Sequence, residues 1–127
     1  MKSKDQIPPS RRSARLNRLF REEINGLLRY ELHNDEVTKM LTITTVDVSN
    51  DLAYAKIYFT ILDKSQERIS EVSNLLKGKA GKLRGVLGRN LHLKRIPRLT
   101  FLYDETEDKA ADLENVLRKL KEERTDD

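Results

Sequence analysis

Cysteine is absent from the 127-residue sequence, so the chain can form neither disulfide bonds nor thiolate metal sites. This absence suits a protein that works in a reducing cytosol. No apolar run approaches the roughly 20 residues that a membrane-spanning helix needs, and no signal peptide is recognisable before the first predicted helix. We therefore expect a cytoplasmic protein with no membrane partner.

Histidine is scarce as well, which limits the chemistry available to an enzyme. The sequence holds two histidines, His33 and His92, on separate predicted elements and without a G-x-S-x-G motif. His33-Asn34-Asp35 is more typical of a helix C-terminal turn than of a metal site, because no second imidazole lies at ligand spacing. Lys82 precedes Leu83, where a phosphate-binding P-loop requires serine or threonine. We expect no catalysis, no metal site and no cofactor.

Basic and acidic residues nearly balance over the chain, 25 against 21, but they are unevenly distributed. Residues 77–98 contain eight lysines and arginines and no acidic residue, and the first 21 residues contain seven lysines and arginines against Asp5 alone. Such segments favour polyanions, although either could be an ordinary solvated helix face. The candidate RNA-binding residues are Lys77, Lys79, Lys82, Arg84, Arg89, Lys94, Arg95 and Arg98 in one segment and Arg11, Arg12, Arg15 and Arg18 in the other.

A Gly-x-x-Gly motif, Gly78-Lys79-Ala80-Gly81, lies at the start of the longer basic segment. A glycine-broken turn that feeds a basic helix can hold phosphates on its free backbone N–H groups. Gly78, Lys79, Ala80 and Gly81 therefore join the candidate RNA-binding residues. The alternative is a helix–helix turn that binds no ligand, because glycines commonly end helices.

Hydrophobic periodicity predicts the order of secondary-structure elements. Apolar residues at helical spacing predict a long helix that begins at Ser10, a second helix capped by Ser65, and a basic helix over residues 82–93 after the two glycines. Alternation predicts strands over residues 41–48, with a bulge near Thr44-Thr45, over residues 53–61 and over residues 99–103. A final helix over residues 106–123 should pack only partly on the core.

The predicted order is α-β-β-α-α-β with an extra C-terminal helix. One apolar sheet face must be covered by helices, which makes an α+β two-layer sandwich. This order, with glycines between the central helices, is that of the prokaryotic (type II) KH domain, a nucleic-acid-binding fold. We expect a flexible basic arm over residues 1–9, one KH-like domain over residues 10–105, and a C-terminal helix with a frayed tail over residues 106–127.

Three segments resemble the bacterial ribosome-binding factor A family. Residues 49–58 read SNDLAYAKIY and resemble the family's strand-turn-strand signature. Residues 83–89 read LRGVLGR and, with the run that continues to Tyr103-Asp104, are similar to a second family motif. The opening RLNRL of residues 15–19 is also similar. The resemblance covers about residues 10–105.

The resemblance implies a non-catalytic, single-domain cytoplasmic factor, which we expect to be a monomer. Such a factor binds the immature small (30S) ribosomal subunit and its 16S rRNA and assists late maturation, including processing of the 5′ end of the RNA. The family is also associated with growth in the cold. Its members usually replace the KH loop by an Ala-x-Gly helical kink, and Lys79 occupies the alanine position here. Residues 78–81 could therefore form either a kink or an open loop.

Other interpretations remain open at this point. The chain could be a general KH-type protein that binds single-stranded RNA, or a protein-interaction module that docks through its amphipathic tail helix. Tyr54 and Tyr58, with Lys56 between them on the outward side of a strand, could stack on bases. They could equally pack under the first or last helix.

Overall fold

Three helices and a three-stranded sheet form the part of the chain that the computed structural model describes, residues 11–32 and 41–125. In chain order the elements are α1 (Arg11–Leu32), β1 (Thr42–Val48), β2 (Tyr54–Thr60), α2 (Gln66–Asn90), β3 (Arg98–Tyr103) and α3 (Thr106–Thr125). The predicted arm over residues 1–9, the predicted cap Ser10 and the trio His33-Asn34-Asp35 lie outside the described residues.

The sheet has the strand order β1-β2-β3. β1 and β2 are antiparallel, as the short turn between them predicts, and their register shifts between Ile43 and Thr45, which confirms the predicted bulge. β2 and β3 are parallel. Parallel neighbours need a long crossover connection, and α2 supplies it.

One face of the sheet is buried under α1 and α2. Strand alternation places Ala55, Ile57 and Phe59 of β2 on that face, where all three are fully buried. α1 lies mainly over β1, and α2 lies mainly over β3. The predicted α+β two-layer arrangement is confirmed, and its topology is KH-like. The helices contribute Phe20, Ile24 and Leu28 from α1 and Val72, Leu76, Leu83 and Leu87 from α2 to this core.

The two central helices predicted from the sequence are a single helix. α2 begins after the confirmed cap Ser65, whose hydroxyl accepts a hydrogen bond from the Arg68 N–H at 3.2 Å, and it continues unbroken for 25 residues. The prediction of an interruption at Gly78 and Gly81 is therefore wrong, and of the two alternatives left open for residues 78–81 the open Gly-x-x-Gly loop is excluded. Each buried leucine or valine contributes about 1.5–3 kcal/mol, whereas each helical glycine costs only about 1 kcal/mol relative to alanine. The buried stripe of α2 outweighs both glycines.

Two asparagines of α1 bind the backbone of β1, an edge strand of the sheet. The side chain of Asn25 accepts a hydrogen bond from the Ile43 N–H at 2.9 Å and donates one to the Ile43 carbonyl at 3.1 Å. Asn17 accepts a hydrogen bond from the Val48 N–H at 3.0 Å. These bonds satisfy backbone groups on the free edge of β1, which another strand could otherwise bind, so they fix α1 over β1.

α3 is the predicted final helix, but the prediction that it packs partly on the core is wrong. Its apolar residues Leu113, Val116, Leu117 and Leu120 are each more than half exposed, and none belongs to the core cluster. Among the described elements, α3 has no packing partner comparable with those of α1 and α2.

The contacts that hold α3 lie at its beginning. Asp108, in the first turn, accepts hydrogen bonds from the Tyr103 hydroxyl at 2.9 Å and from Lys64 at 3.2 Å. These two bonds lower the pKa of the Asp108 carboxyl. Asp104 accepts a hydrogen bond from the Thr106 N–H at 2.9 Å and another from the Thr44 hydroxyl, which ties the helix start to β1. Beyond this first turn, residues 109–123 of α3 are all exposed.

Replacing Asn25 with alanine should destabilise the domain by about 1–3 kcal/mol, because the partly buried Ile43 N–H and carbonyl both lose their partner. Urea denaturation followed by circular dichroism measures the change. Asn74→Ala is the matched control, because Asn74 is exposed on α2, and it should change stability by less than about 0.5 kcal/mol. An equal effect of both substitutions would contradict the assigned role of Asn25.

Candidate nucleic-acid interface

Three glycines leave part of the outer surface of α2 without side chains. Gly78, Gly81 and Gly85 follow one another at helical spacing, on the side opposite the buried leucines. A Cβ atom added at Gly78 or Gly81 would meet nothing within 4 Å, and one at Gly85 would meet only the flexible end of Arg89, at 3.7 Å. Nothing within the described fold therefore requires these glycines, and a partner can approach the helix backbone closely here.

The predicted cradle of free backbone N–H groups at residues 78–81 is absent. These residues lie within α2, where each N–H is bonded to a carbonyl one turn earlier. The four residues of the motif also differ in their exposure to solvent. Gly78 and Gly81 are exposed, whereas Lys79 is half-buried and Ala80 packs against the core. Any phosphate contact on this stretch must therefore come from side chains rather than from backbone amides.

Exposed basic side chains flank the bare stripe on both sides. Helical geometry places Lys77 and Arg84 along one edge of it and Lys82 and Arg89 along the other. All four residues are exposed. We call this surface, formed by Lys77, Gly78, Gly81, Lys82, Arg84, Gly85 and Arg89, the outer face of α2.

Arg84 also has a structural role that sequence reasoning missed. Its guanidinium group donates hydrogen bonds from Nε to the Pro97 carbonyl and from Nη2 to the Ile96 carbonyl, each at 3.0 Å. The segment between α2 and β3 is thereby held against the helix. A Cβ atom on Gly88 would overlap the end of the Ile96 side chain, so Ile96 would have to shift if position 88 carried a side chain. Two of the five guanidinium N–H donors are used, and the others remain available to a ligand.

The connecting segment carries the remaining basic candidates of residues 77–98. Lys94, Arg95 and Arg98 are exposed. Arg95 donates a hydrogen bond to the Asp51 carbonyl at 3.3 Å, which joins the segment to the β1–β2 turn. Hydrogen bonds from Ser49 and from the Ala53 N–H stabilise the Asp51 carboxylate and lower its pKa. These hydrogen bonds brace the turn, and Arg95 contacts it from the connecting segment.

One of the N-terminal arginines, Arg15, lies near the second basic segment at one end of the domain. A cleft of 470 Å³ lies between the start of α1 and the β1–β2 turn, and both Arg15 and Leu93 line it. Arg15 therefore lies beside the segment that carries Lys94 and Arg95. Arg11 and Arg12 begin α1, whose first turn has no acidic residue, and Arg18 is exposed one turn further on. The fold thus joins two basic segments that are distant in sequence.

The uncovered face of the sheet carries further candidates that were not included in the predicted site. Tyr54 is 60% exposed, so it does not pack under a helix, whereas Tyr58 is half-buried. Lys56 is exposed between them, and Tyr54 is paired with Arg98 across β2 and β3. Strand alternation predicts that these side chains point away from the core. Only the tertiary structure shows that no described helix covers the Tyr54 side chain.

The described residues contain neither a cluster of potential metal ligands nor a helix that could span a membrane. Over residues 11–32 and 41–125, no group of three or more histidine, cysteine or acidic residues is arranged to hold a metal ion. None of the helices described here is both long and apolar enough to cross a bilayer.

Comparison with known proteins gives a consistent result. The family model described as ribosome-binding factor A matches residues 12–117. A ribosome-binding factor A from Thioalkalivibrio sulfidiphilus is 39% identical over 108 residues, covering 85% of this chain and 82% of the relative. A ribosome-binding factor A from Clostridium perfringens is 32% identical over 111 residues, covering 87% of this chain and 96% of the relative.

Solved structures share the fold at lower sequence identity. The solution structure of a Thermotoga maritima protein, described as a putative ribosome binding factor A, has a TM-score of 0.66 and 24% identity, covering 76% of this chain and 90% of that one. A Thermus thermophilus ribosome binding factor A, fitted as a homology model into a cryo-EM map of its complex with the 30S subunit, has a TM-score of 0.56 and 24% identity, covering 77% and 97%.

Replacing Gly81 with alanine should stabilise the free protein by up to about 1 kcal/mol, because the position is helical and the added methyl group enters open space. The midpoint of urea denaturation measures this effect. Gly88→Ala is the matched control and should destabilise the domain, because its methyl group overlaps Ile96. Destabilisation by Gly81→Ala would mean that residues 78–81 are not helical in solution.

Proposed function

The chain belongs to the ribosome-binding factor A family, and from that membership we propose that it binds the immature small ribosomal subunit and its 16S rRNA. One chain per subunit assists late maturation, including processing of the 5′ end of the RNA, and supports growth in the cold. It works in the cytoplasm, where subunits assemble, and catalyses no reaction itself. The related Thermus thermophilus protein, which was fitted into a map of a 30S complex, supports this assignment.

We propose that the outer face of α2 is the surface that contacts rRNA. The observation that carries this proposal is the bare glycine stripe between two rows of exposed basic side chains. An RNA backbone can lie close to the helix at the glycines while Lys77, Lys82 and Arg89 neutralise its phosphates. Lys94, Arg95 and Arg15 extend the basic surface toward the start of α1, whereas Arg98 lies on the open face of the sheet beside its strand partner Tyr54.

Recognition of this kind depends on the shape of the RNA more than on its sequence. Phosphate contacts fix position and orientation but carry no base information, so specificity must come from the folded rRNA site. A factor with greater affinity for one immature conformation raises the population of that conformation. The factor dissociates when maturation removes the immature conformation, because its affinity for that conformation is what holds it on the subunit.

A general protein for single-stranded RNA is the weaker alternative. A KH loop clamps a single strand with open backbone between two helices, whereas the backbone N–H groups of residues 78–81 are bonded within α2. A rigid basic helix face is better suited to the backbone of a folded RNA than to a flexible single strand. The Tyr54 side chain on the open sheet face remains available for a stacked base in either case.

Reversing two charges on the outer face of α2 should weaken small-subunit binding without unfolding the domain. We expect the double variant Lys77→Glu/Arg89→Glu to lose affinity at least roughly tenfold at physiological salt, because two attractive phosphate contacts become repulsive. Co-sedimentation with immature small subunits measures this loss, and circular dichroism checks the fold. Lys119→Glu/Lys121→Glu on α3 makes the same change in net charge and should bind as the unaltered chain does. Equal loss in both variants would indicate a nonspecific charge effect.

Salt dependence separates an RNA contact from a protein contact on the same subunit. The logarithm of affinity should fall linearly with the logarithm of salt concentration, and the slope should become shallower by about one for each phosphate contact removed. The single neutral variants Lys77→Gln and Arg89→Gln give this slope when their binding is measured between roughly 50 and 200 mM salt. Over this range the affinity of a protein that makes several phosphate contacts falls steeply. A flat slope for the unaltered chain would favour a protein partner.

A further inference from the structure

The cleft at one end of the domain has apolar walls that the core leaves accessible. Leu16 lines it from α1, Leu52 from the β1–β2 turn and Leu93 from the segment that follows α2. Each of these leucines packs against the core cluster but is only half-buried. The cleft volume of 470 Å³ lies in the range of about 300–1,000 Å³ that is typical of small-ligand pockets. Its size and its walls therefore suit a ligand with an apolar body.

The backbone at the cleft holds two residues in a conformation that side chains rarely adopt. Among residues 11–32 and 41–125, the non-glycine residues with positive φ are Leu52, at 60°, and His92, at 52°. This left-handed conformation is unfavourable for a residue with a Cβ atom, whereas glycine adopts it readily. Leu52 lines the cleft itself, and His92 directly precedes Leu93. Strained backbone that the surrounding structure holds in place is concentrated at functional sites.

The two strained residues have different explanations. His92 ends α2, and the N–H of the following Leu93 donates a hydrogen bond to the Gly88 carbonyl at 3.1 Å, which is a common way to end a helix. Leu52 lies in the β1–β2 turn, where its N–H donates to the Ser49 carbonyl at 2.9 Å. Glycine or asparagine is the usual residue in a turn with positive φ. A leucine there places an apolar side chain on the wall of the cleft, which neither of those residues would do.

Amide side chains add hydrogen-bonding groups to the apolar walls. Asn17 lines the cleft, and its side-chain oxygen accepts a hydrogen bond from the Val48 N–H at 3.0 Å. The two N–H donors of the same amide remain available to a ligand. Asn50 lines the cleft from the turn and is exposed. Amides beside an apolar wall suit a nucleobase, because the edge of a base carries both donors and acceptors.

Positive charge predominates around the cleft. Arg15 lines it and is exposed, and the exposed Lys94 and Arg95 directly follow Leu93. The acidic residue of the neighbouring turn is Asp51, and hydrogen bonds within the turn already engage its carboxylate. A ligand that complements both the walls and the charges has a flat apolar body and a negatively charged backbone. An RNA nucleotide has both.

We propose that the cleft binds one unpaired nucleotide of the rRNA, with its base against Leu16, Leu52 and Leu93 and its phosphate near Arg15 and Lys94. This assignment rests on the proposed function, to which it adds a contact with a base beside the phosphate contacts of the outer face of α2. Specific recognition of RNA mostly uses bases outside helices, because their faces and edges are accessible. The cleft therefore recognises a nucleotide that is still unpaired in the immature subunit. Pairing of that nucleotide during maturation removes the contact.

An apolar side chain of a ribosomal protein is the other occupant that the walls allow. Such a side chain would fill the apolar space but would leave Arg15 and Lys94 without a negative partner. The link to the outer face of α2 also favours RNA. Arg84 holds the segment that carries Leu93 against α2, so an RNA backbone on that face can continue along the segment to the cleft.

Salt dependence separates a base contact from a phosphate contact. Leu52→Gly removes one wall of the cleft but keeps the turn, because glycine adopts positive φ without strain. Its affinity for immature small subunits should fall at least roughly fivefold, by the same factor at every salt concentration, because burial of a base releases no counterions. Arg15→Gln should instead make the slope of log affinity against log salt shallower by about one. Circular dichroism and urea denaturation check that both variants are folded.

Leu62→Gly is the matched control for the loss of a leucine. Leu62 is 73% exposed and lies at the opposite end of β2 from the cleft. This variant should bind subunits as the unaltered chain does. Unchanged affinity of Leu52→Gly would overturn the proposal. A shallower salt slope for Leu52→Gly would overturn it as well, because the turn would then only position cations.

Chemical probing of the rRNA identifies the occupant directly. Dimethyl sulfate modifies unpaired adenine and cytosine, and a carbodiimide modifies unpaired guanine and uracil. One base that reacts in free immature subunits should be protected by the unaltered chain and by Leu62→Gly. The same base should react again when Leu52→Gly is bound at a saturating concentration. If no base behaves in this way, the proposal is overturned, and weaker binding by Leu52→Gly would then assign the cleft to a side chain of a ribosomal protein.

These measurements also distinguish a failure of the cleft assignment from a failure of the proposed function. If Lys77→Glu/Arg89→Glu weakens subunit binding and Leu52→Gly does not, the cleft assignment alone is wrong. If the unaltered chain does not bind immature subunits at all, the proposed function is wrong, and the assignment of an rRNA nucleotide to the cleft fails with it.

Discussion

The structure depends on one constraint: α2 must continue without a break across the buried face of the sheet. Val72, Leu76, Leu83 and Leu87 form a single stripe that extends past Gly78 and Gly81, and all four side chains are buried. The burial of this stripe fixes the rotation of the helix about its axis. Gly78, Gly81 and the flanking basic residues then necessarily lie on the solvent side. The candidate site is thus a direct consequence of how the core is packed.

The same helix positions the remaining basic residues through Arg84 and Gly88. The guanidinium group of Arg84 holds the carbonyls of Ile96 and Pro97, and the absence of a Cβ atom on Gly88 lets Ile96 approach the helix. The segment with Lys94 and Arg95 is therefore held between α2 and the β1–β2 turn. In a KH domain an open loop supplies phosphate contacts from its backbone. Here a rigid helix and a tethered segment present side chains instead, so the RNA contact proposed for this chain would use a preformed surface.

Local signals in the sequence were sufficient for much of the fold and for the family. Alternation in residues 53–61 predicted β2 and its buried face, Ser65 was correctly predicted as a helix cap, and the motifs in residues 49–58 and 83–89 indicated the family that the comparisons confirm. The predicted break in α2 was wrong because a glycine acts locally, whereas the competing burial of Leu76 and Leu83 depends on a sheet formed by distant residues. The exposure of α3 depends on which faces the other elements leave open for packing, and the role of Arg84 depends on how the segment with Ile96 and Pro97 folds back onto α2. No local pattern encodes them.

Crosslinking of the chain to purified immature small subunits tests the central claim most directly. Ultraviolet crosslinking followed by mass spectrometry of the protein identifies the peptides attached to rRNA. If the outer face of α2 is the RNA surface, crosslinked peptides should come mainly from residues 77–98, with a second set from the start of α1 near Arg15. Crosslinks confined to the open face of the sheet around Tyr54, or to α3, with none in residues 77–98, would contradict this account.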